Sequence, residues 1–207
     1  MLTRLEDCGI TLPDEASSER LPGEYSFYER TRLVIHKELA YWHDVLRLNW
    51  TSYDLRRSQD SVNLKTHRDI MLLADVDGTE PTAHPYIYAR VVRIFHVNVR
   101  LYDSPMQEFE RVDVLFVRYF RLDHSRPGGF AAKRLHRVQF VPCGLSEQEA
   151  FGFIDPAHVI RGAHLIPAFA FSRTSSLLGP SIAREVAGNT DEAAQRHSDW
   201  KYYYVNL

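Results

Sequence analysis

The run Tyr86–Leu101 carries the strongest strand signal in the chain. Val91, Phe95, Val97, Val99 and Leu101 share one parity, while Arg90, His96, Asn98 and Arg100 share the other with Val92 and Ile94. A period of two puts alternate side chains on opposite faces of a strand. After a turn at Asp103-Ser104-Pro105, Val112–Leu122 carries bulky residues at both parities, as a central strand covered on both faces would. Aromatic residues make up 12% of the chain, which favours strands further. The expectation is a mainly β chain.

The rest of the chain can be read around these strands. Residues 1–24 form an irregular lead-in with turn signals at Leu12-Pro13-Asp14 and Leu21-Pro22-Gly23. Between Tyr25 and Thr51 the pattern is strand-like. His36-Lys37-Glu38 predicts a hairpin turn, and Val45–Trp50 a strand with Leu46 and Leu48 on one face. A helix over Leu33–Leu48 is the rival reading, because Leu39, Trp42, Val45 and Leu46 also fit a 3.6 period. Asp54 through Thr66 is polar and reads as a loop, Asp69–Ala74 as a short strand, and Asp75–Pro81 as an acidic turn without the full ligand pattern of a calcium loop. Arg137–Val141, His164–Phe171 and Tyr202–Val205 read as strands. Ser146–Glu149 looks like a capping box, Asp155-Pro156 an N-cap with proline at N1, and Asp191–Arg196 a short helix. The division expected is 1–24 lead-in, 25–172 β-rich domain, and 173–207 an extension packing on it.

Several function classes lack their signatures. Cys8 and Cys143 form no CxxC motif, so neither a disulfide framework nor a zinc cluster is indicated. No Gly-x-Ser-x-Gly elbow, phosphate loop or dinucleotide fingerprint occurs. No apolar run approaches a membrane span, and no secretory h-region is visible, so an intracellular location and no membrane partner are expected. No cofactor and no metal site are predicted. The rival enzymatic reading is a metal-dependent hydrolase built on His67 and Asp69, which share a strand face but lack identifiable partner ligands.

The basic residues say more. Net charge is only −2, but 21 of the 25 basic residues are Arg, which binds phosphate and carboxylate through a planar fork. Lys133-Arg134-Leu135-His136-Arg137 follows a Pro-Gly-Gly break, and Arg56-Arg57 lies in the polar stretch. Lys133, Arg134, Arg137, Arg56 and Arg57 are therefore the candidate nucleic-acid-binding residues. Arg118 and Arg121 flank Tyr119-Phe120, where ion pairs with Asp113, Asp123 or neighbouring Glu residues compete with ligand binding. Cationic residues interleaved with aromatics suit single-strand stacking. The alternative is a peptide reader in which Tyr86, Tyr88, Tyr102 and Tyr119 form a cage for methyl-lysine.

Two resemblances sharpen this. Residues 86–95 (Tyr-Ile-Tyr-Ala-Arg-Val-Val-Arg-Ile-Phe), 114–121 (Val-Leu-Phe-Val-Arg-Tyr-Phe-Arg) and 155–167 resemble the cadence of a bromo-adjacent homology (BAH) domain. Tyr119-Phe120 stands where that family has Trp-Phe, and Val159-Ile160-Arg161-Gly162 follows its late Ile/Gly signature. The fold this implies is a partly open SH3/BAH-like barrel with a few short helices and extended loops. More of the chain, roughly residues 30 to 207, resembles the C-terminal region of proteins encoded by DNA transposons of mushroom-forming fungi, of the Kyakuja–Dileera–Zisupton type. The strings that carry it are Asn49–Asp60, Thr66–Met71, Ala89–His96 and Phe151–Phe169. That resemblance implies a non-catalytic, transposon-derived module acting on DNA or chromatin in the nucleus, with other transposase domains as possible partners. The catalytic carboxylates would lie outside this chain, which would be a stand-alone copy, a truncated gene or an excised domain.

Overall fold

The computed structural model describes residues 30–51, 56–74, 84–102, 108–144, 150–178, 181, 183 and 199–206. Its strands are β1 (Leu33–His43), β2 (Val45–Thr51), β3 (Arg57–Asn63), β4 (Asp69–Leu73), β5 (Tyr86–Leu101), β6 (Glu110–Leu122), β7 (Arg137–Phe140), β8 (Phe151–Ile154), β9 (Val159–Gly162), β10 (His164–Pro167), β11 (Arg173–Thr174), β12 (Asp199–Trp200) and β13 (Tyr203–Asn206). One 3-10 turn, Pro156–His158, is capped by Asp155, whose carboxylate accepts the Ala157 N–H at 2.8 Å. The chain is mainly β, with open sheets. The helices expected at Ser146–Glu149 and Asp191–Arg196 lie outside the described residues, as does the acidic turn at Asp75–Pro81. Among the described residues no helix is long and apolar enough to cross a membrane.

The chain divides into two compact units, Met1–Trp42 with Phe95–Val114, and His43–Ile94 with Leu115–Leu207. In the first unit, β1 pairs with β5, and Val97, Val99, Leu101, Val112 and Val114 form a small core against Leu33 and Phe95. His36-Lys37-Glu38 does not turn the chain back. β1 runs through it, and Lys37 and Glu38 take left-handed φ of 53° and 55°. β1 pairs with β5; Tyr102 N–H donates to Arg32 O at 2.8 Å, and Tyr41 stacks on His96.

In the second unit the strand order is β10-β13-β7-β6-β5-β4-β9, with β8 also on β6. β9 and β10 stand at opposite ends of this order yet are joined through Ala163 alone, whose N–H reaches Asp69 O at 2.8 Å. The sheet therefore curls round on itself into a partly open barrel. Its central strands β4, β5 and β6 are covered on both faces. Ile70, Leu72, Ala89, Val91, Leu115 and Val117 face one core, which β2 and β3 cover with Leu48 and Val62. Met71, Tyr88, Phe120, Val138, Phe140, Leu165, Tyr203 and Val205 face the other. This two-sided burial is why β6 reads as continuously bulky rather than alternating.

The polar stretch before Thr66 is a correction to the loop expected there. Arg57–Asn63 is β3, paired antiparallel with β2 over its whole length. Strand formation here depends on its neighbours rather than on intrinsic propensity. Val62 is 1% exposed, and Asp60 Oδ2 accepts the Gly162 N–H at 2.9 Å, so even the acidic residue is used to dock the hairpin on β9. The C-terminal residues contribute more than an outer layer, because β13 sits within the sheet between β10 and β7.

Candidate functional site

Between β6 and β7 the chain makes a compact excursion that builds a groove. Asp123 opens it; its Oδ1 accepts the Ser125 N–H at 3.1 Å and hydroxyl at 2.6 Å. Gly129 and Arg134 then close a small loop, with Gly129 N–H donating to Arg134 O at 2.8 Å and Lys133 N–H to Phe130 O at 3.1 Å. Two backbone positions need glycine. A Cβ on Gly128 would lie 2.5 Å from His136 Cα, and Gly129 has a φ of +101°. Lys133, at the end of the loop, holds a left-handed φ of 50°, uncommon for a residue with a side chain.

The groove has a volume of about 930 Å³. Phe130, Lys133, Arg134, Leu135 and His136 line it from the loop, and Val205 and Asn206 from β13. Val205 N–H donates to His136 O at 2.9 Å, so the floor belongs to the sheet. None of the described residues that line it is acidic. Phe130 is fully exposed and Leu135 is 45% exposed. An exposed phenyl ring beside two cations has apolar area that water does not favour, and a flat face on which another ring can stack.

Behind His136 lies a second layer. The His136 and His84 rings are 4.5 Å apart, and His84 Nε2 is 3.0 Å from the Tyr88 hydroxyl. His84 also meets Tyr86 edge-on at 5.8 Å. Burial, and then the charge of His136, lower the His84 pKa, so this imidazole favours its neutral form. Burial pushes the Tyr88 hydroxyl up to about 12, helped by Tyr86, and it stays protonated.

The structure thus brings together Lys133, Arg134, Tyr86 and Tyr88, with His136 and His84 linking the cations to the tyrosines. It separates the other candidates. Arg137 turns inward, 7% exposed, its Nε donating to Asp123 Oδ2 at 2.6 Å and its guanidinium 4.2 Å from the Tyr202 ring centre. Arg57 begins β3 and is exposed, as is Arg56. Tyr119 packs on the opposite core from Tyr88, and Tyr102 is 74% exposed in the first unit. Tyr88 itself is only 2% exposed. Arg118 is also internal, with Nη1 2.8 Å from Asp199 and its guanidinium 3.7 Å from the Phe140 ring centre. Arg121 faces Gln139 across the β6–β7 ladder.

His67 Nδ1 lies 3.0 Å from the Thr66 hydroxyl, while both oxygens of Asp69 are taken by Arg90, at 2.6 and 2.9 Å. Arg90 lies about 5 Å from the ring centres of Phe140 and Tyr203 and 5.5 Å from that of Phe120. These rings form an aromatic enclosure already filled by one of the protein's own cations. Burial opposes the charge on Arg90, but the adjoining Asp69 carboxylate outweighs it and holds the guanidinium ionised.

Sequence reasoning did not single out Phe130, His84 or the β13 residues of the groove. Phe130 had a signal, since a large apolar side chain directly after Pro-Gly-Gly sits in a turn with no strand face to bury it. His84 and Asn206 had none, because only the sheet brings them near the loop. Compared with protein-family models, curated proteins and solved structures, the chain matches none.

Proposed function

We propose that this chain is a non-catalytic binding module for single-stranded nucleic acid, with the β6–β7 groove as its contact surface. The observation that carries the reading is the exposed Phe130 ring beside Lys133 and Arg134 in a groove whose described lining residues include no acidic one. Cations neutralise successive phosphates, and a base stacks on the aromatic face without sequence preference. The rest of the groove is built on hydrogen-bonded backbone. Its floor is a strand and its loop is closed by backbone hydrogen bonds, so little ordering is required when the ligand binds. This reading agrees with what the transposon-encoded proteins resembled by the sequence would need, namely a domain that holds DNA or chromatin in the nucleus while other domains act on it.

The test is fluorescence anisotropy with a labelled oligo-dT. Two phosphate contacts on a single strand give a salt slope of about −1.4, a roughly sevenfold loss of affinity between about 50 and about 200 mM salt. Replacing Lys133 and Arg134 by Ala should flatten that slope. Phe130→Ala should weaken binding about 5- to 150-fold, the range for one lost base stack. Absence of binding at about 50 mM, or binding unchanged in the Lys133/Arg134 double variant, would overturn the proposal.

A further inference from the structure

We infer that His136 is a third phosphate-contacting group of this groove, one that takes up a proton as the nucleic acid binds and so ties affinity to pH. The inference rests on the nucleic-acid reading and deepens it. His136 lines the groove beside Lys133 and Arg134. Its ring packs against Gly129, whose hypothetical Cβ would fall 3.1 Å from His136 Nε2, so the imidazole is held in place. On its inner side it touches His84 at 4.5 Å, with Tyr86 and Tyr88 beyond. From β13 it meets the neutral Val205 and Asn206, and His164 lies opposite Asn206 on β10.

In the empty groove Lys133, Arg134 and a second imidazole surround the ring, and none of the described lining residues is a carboxylate. A bound phosphodiester reverses the local field. The proton then goes to His136 rather than to His84, because His136 lines the groove while His84 is not among its lining residues and abuts the Tyr88 hydroxyl. Proton uptake on binding and tighter binding at lower pH are the same coupling seen from two sides.

The experiment measures oligo-dT affinity at about pH 8 and about pH 5.5 at constant salt, a range that brackets an ordinary imidazole. Thymine and the phosphodiester keep their charge throughout, so the change belongs to the protein. Wild type should bind about fivefold more tightly at the lower pH, the ratio expected for one charge pair at about 4 Å in water. His136→Gln should lose that difference yet retain the salt-dependent binding due to Lys133 and Arg134. NMR titration of the His136 ring protons in the wild-type chain, with and without oligo-dT, gives a readout independent of any variant's folding. An upward shift of its midpoint on binding supports the inference. Binding with no pH dependence, or a pH response unchanged in His136→Gln, would overturn it while leaving the nucleic-acid reading standing. No binding at either pH would remove both.

Discussion

Asp69 and Arg90 face each other directly across the β4–β5 ladder, and their side chains are 11% and 14% exposed. The pair is bidentate, at 2.6 and 2.9 Å, and Arg90 Nη1 also donates to the Tyr203 hydroxyl at 3.4 Å. Asp69→Ala would leave a guanidinium enclosed among Phe120, Phe140 and Tyr203 with its two strongest hydrogen bonds gone. The rings offset only part of this, since each cation–π contact contributes about 0.5–2 kcal/mol and three rings share one cation. The expected loss is about 3–5 kcal/mol, typical of breaking a buried pair from one side. In a domain of this size that lowers the melting temperature by about 6–20 °C. Arg90→Met should cost a similar amount, because it leaves the carboxylate alone. The double variant Asp69→Leu/Arg90→Met should cost clearly less than the two single losses combined, since an apolar pair leaves no orphaned charge. Urea unfolding followed by intrinsic fluorescence measures all three. Single losses below about 1 kcal/mol, or a double loss equal to the sum, would refute the reasoning that burial makes this pair interdependent.

Other parts of the structure yield sharp expectations. Gly128→Ala places a Cβ 2.5 Å from His136 Cα and 2.7 Å from Leu135 O, so the loop must move; oligo-dT affinity should fall by more than in Phe130→Ala, alongside a lower melting temperature. Asp60→Ala removes the acceptor of the Gly162 N–H at 2.9 Å, and urea unfolding should register a loss of about 1–3 kcal/mol. His84 has its pKa lowered by burial and by His136, so the unfolded chain binds its proton more readily. Stability should accordingly fall as pH drops below about 6.5, and urea midpoints at about pH 8 and about pH 5.5 should lie closer together in His84→Gln. Asp123 behaves differently. Burial would raise its pKa, but the Ser125 hydroxyl and Arg137 together hold it below the usual carboxylate range. Its contribution is present above the unfolded value of about 3.9 and is lost as pH falls through the lower folded value, so Asp123→Asn should blunt the acid limb of the stability profile.

Local periodicity was enough to determine most of the strands. Tyr86–Leu101 is β5 to the residue, Val112–Leu122 lies within β6, and the 3-10 turn starts where Asp155-Pro156 predicts it. These signals are local, because a strand buried on one or both faces must place apolar side chains at a fixed spacing. Lys133 and Arg134 were legible as a cationic cluster for the same reason, since their charge and their glycine-rich approach are written within a few residues.

Tertiary structure decided the rest. β3 is a strand because β2 supplies its ladder and Gly162 supplies a donor for Asp60, and a hydrophilic segment carries no sign of a donor that arrives from 102 residues away. The basic cluster splits because the alternation of β7 turns Arg137 inward onto Asp123, while Lys133 and Arg134 stay on the loop that precedes it. The four candidate tyrosines part company because Tyr88 and Tyr119 fall on opposite faces of one sheet. His84, His136 and Asn206 meet only once β13 has entered the sheet beside β7. Sequence alone determines which residues alternate and which carry charge. Which face turns toward a core, and which charges remain on the surface, is a property of strand pairing between distant segments and exists only in the folded chain.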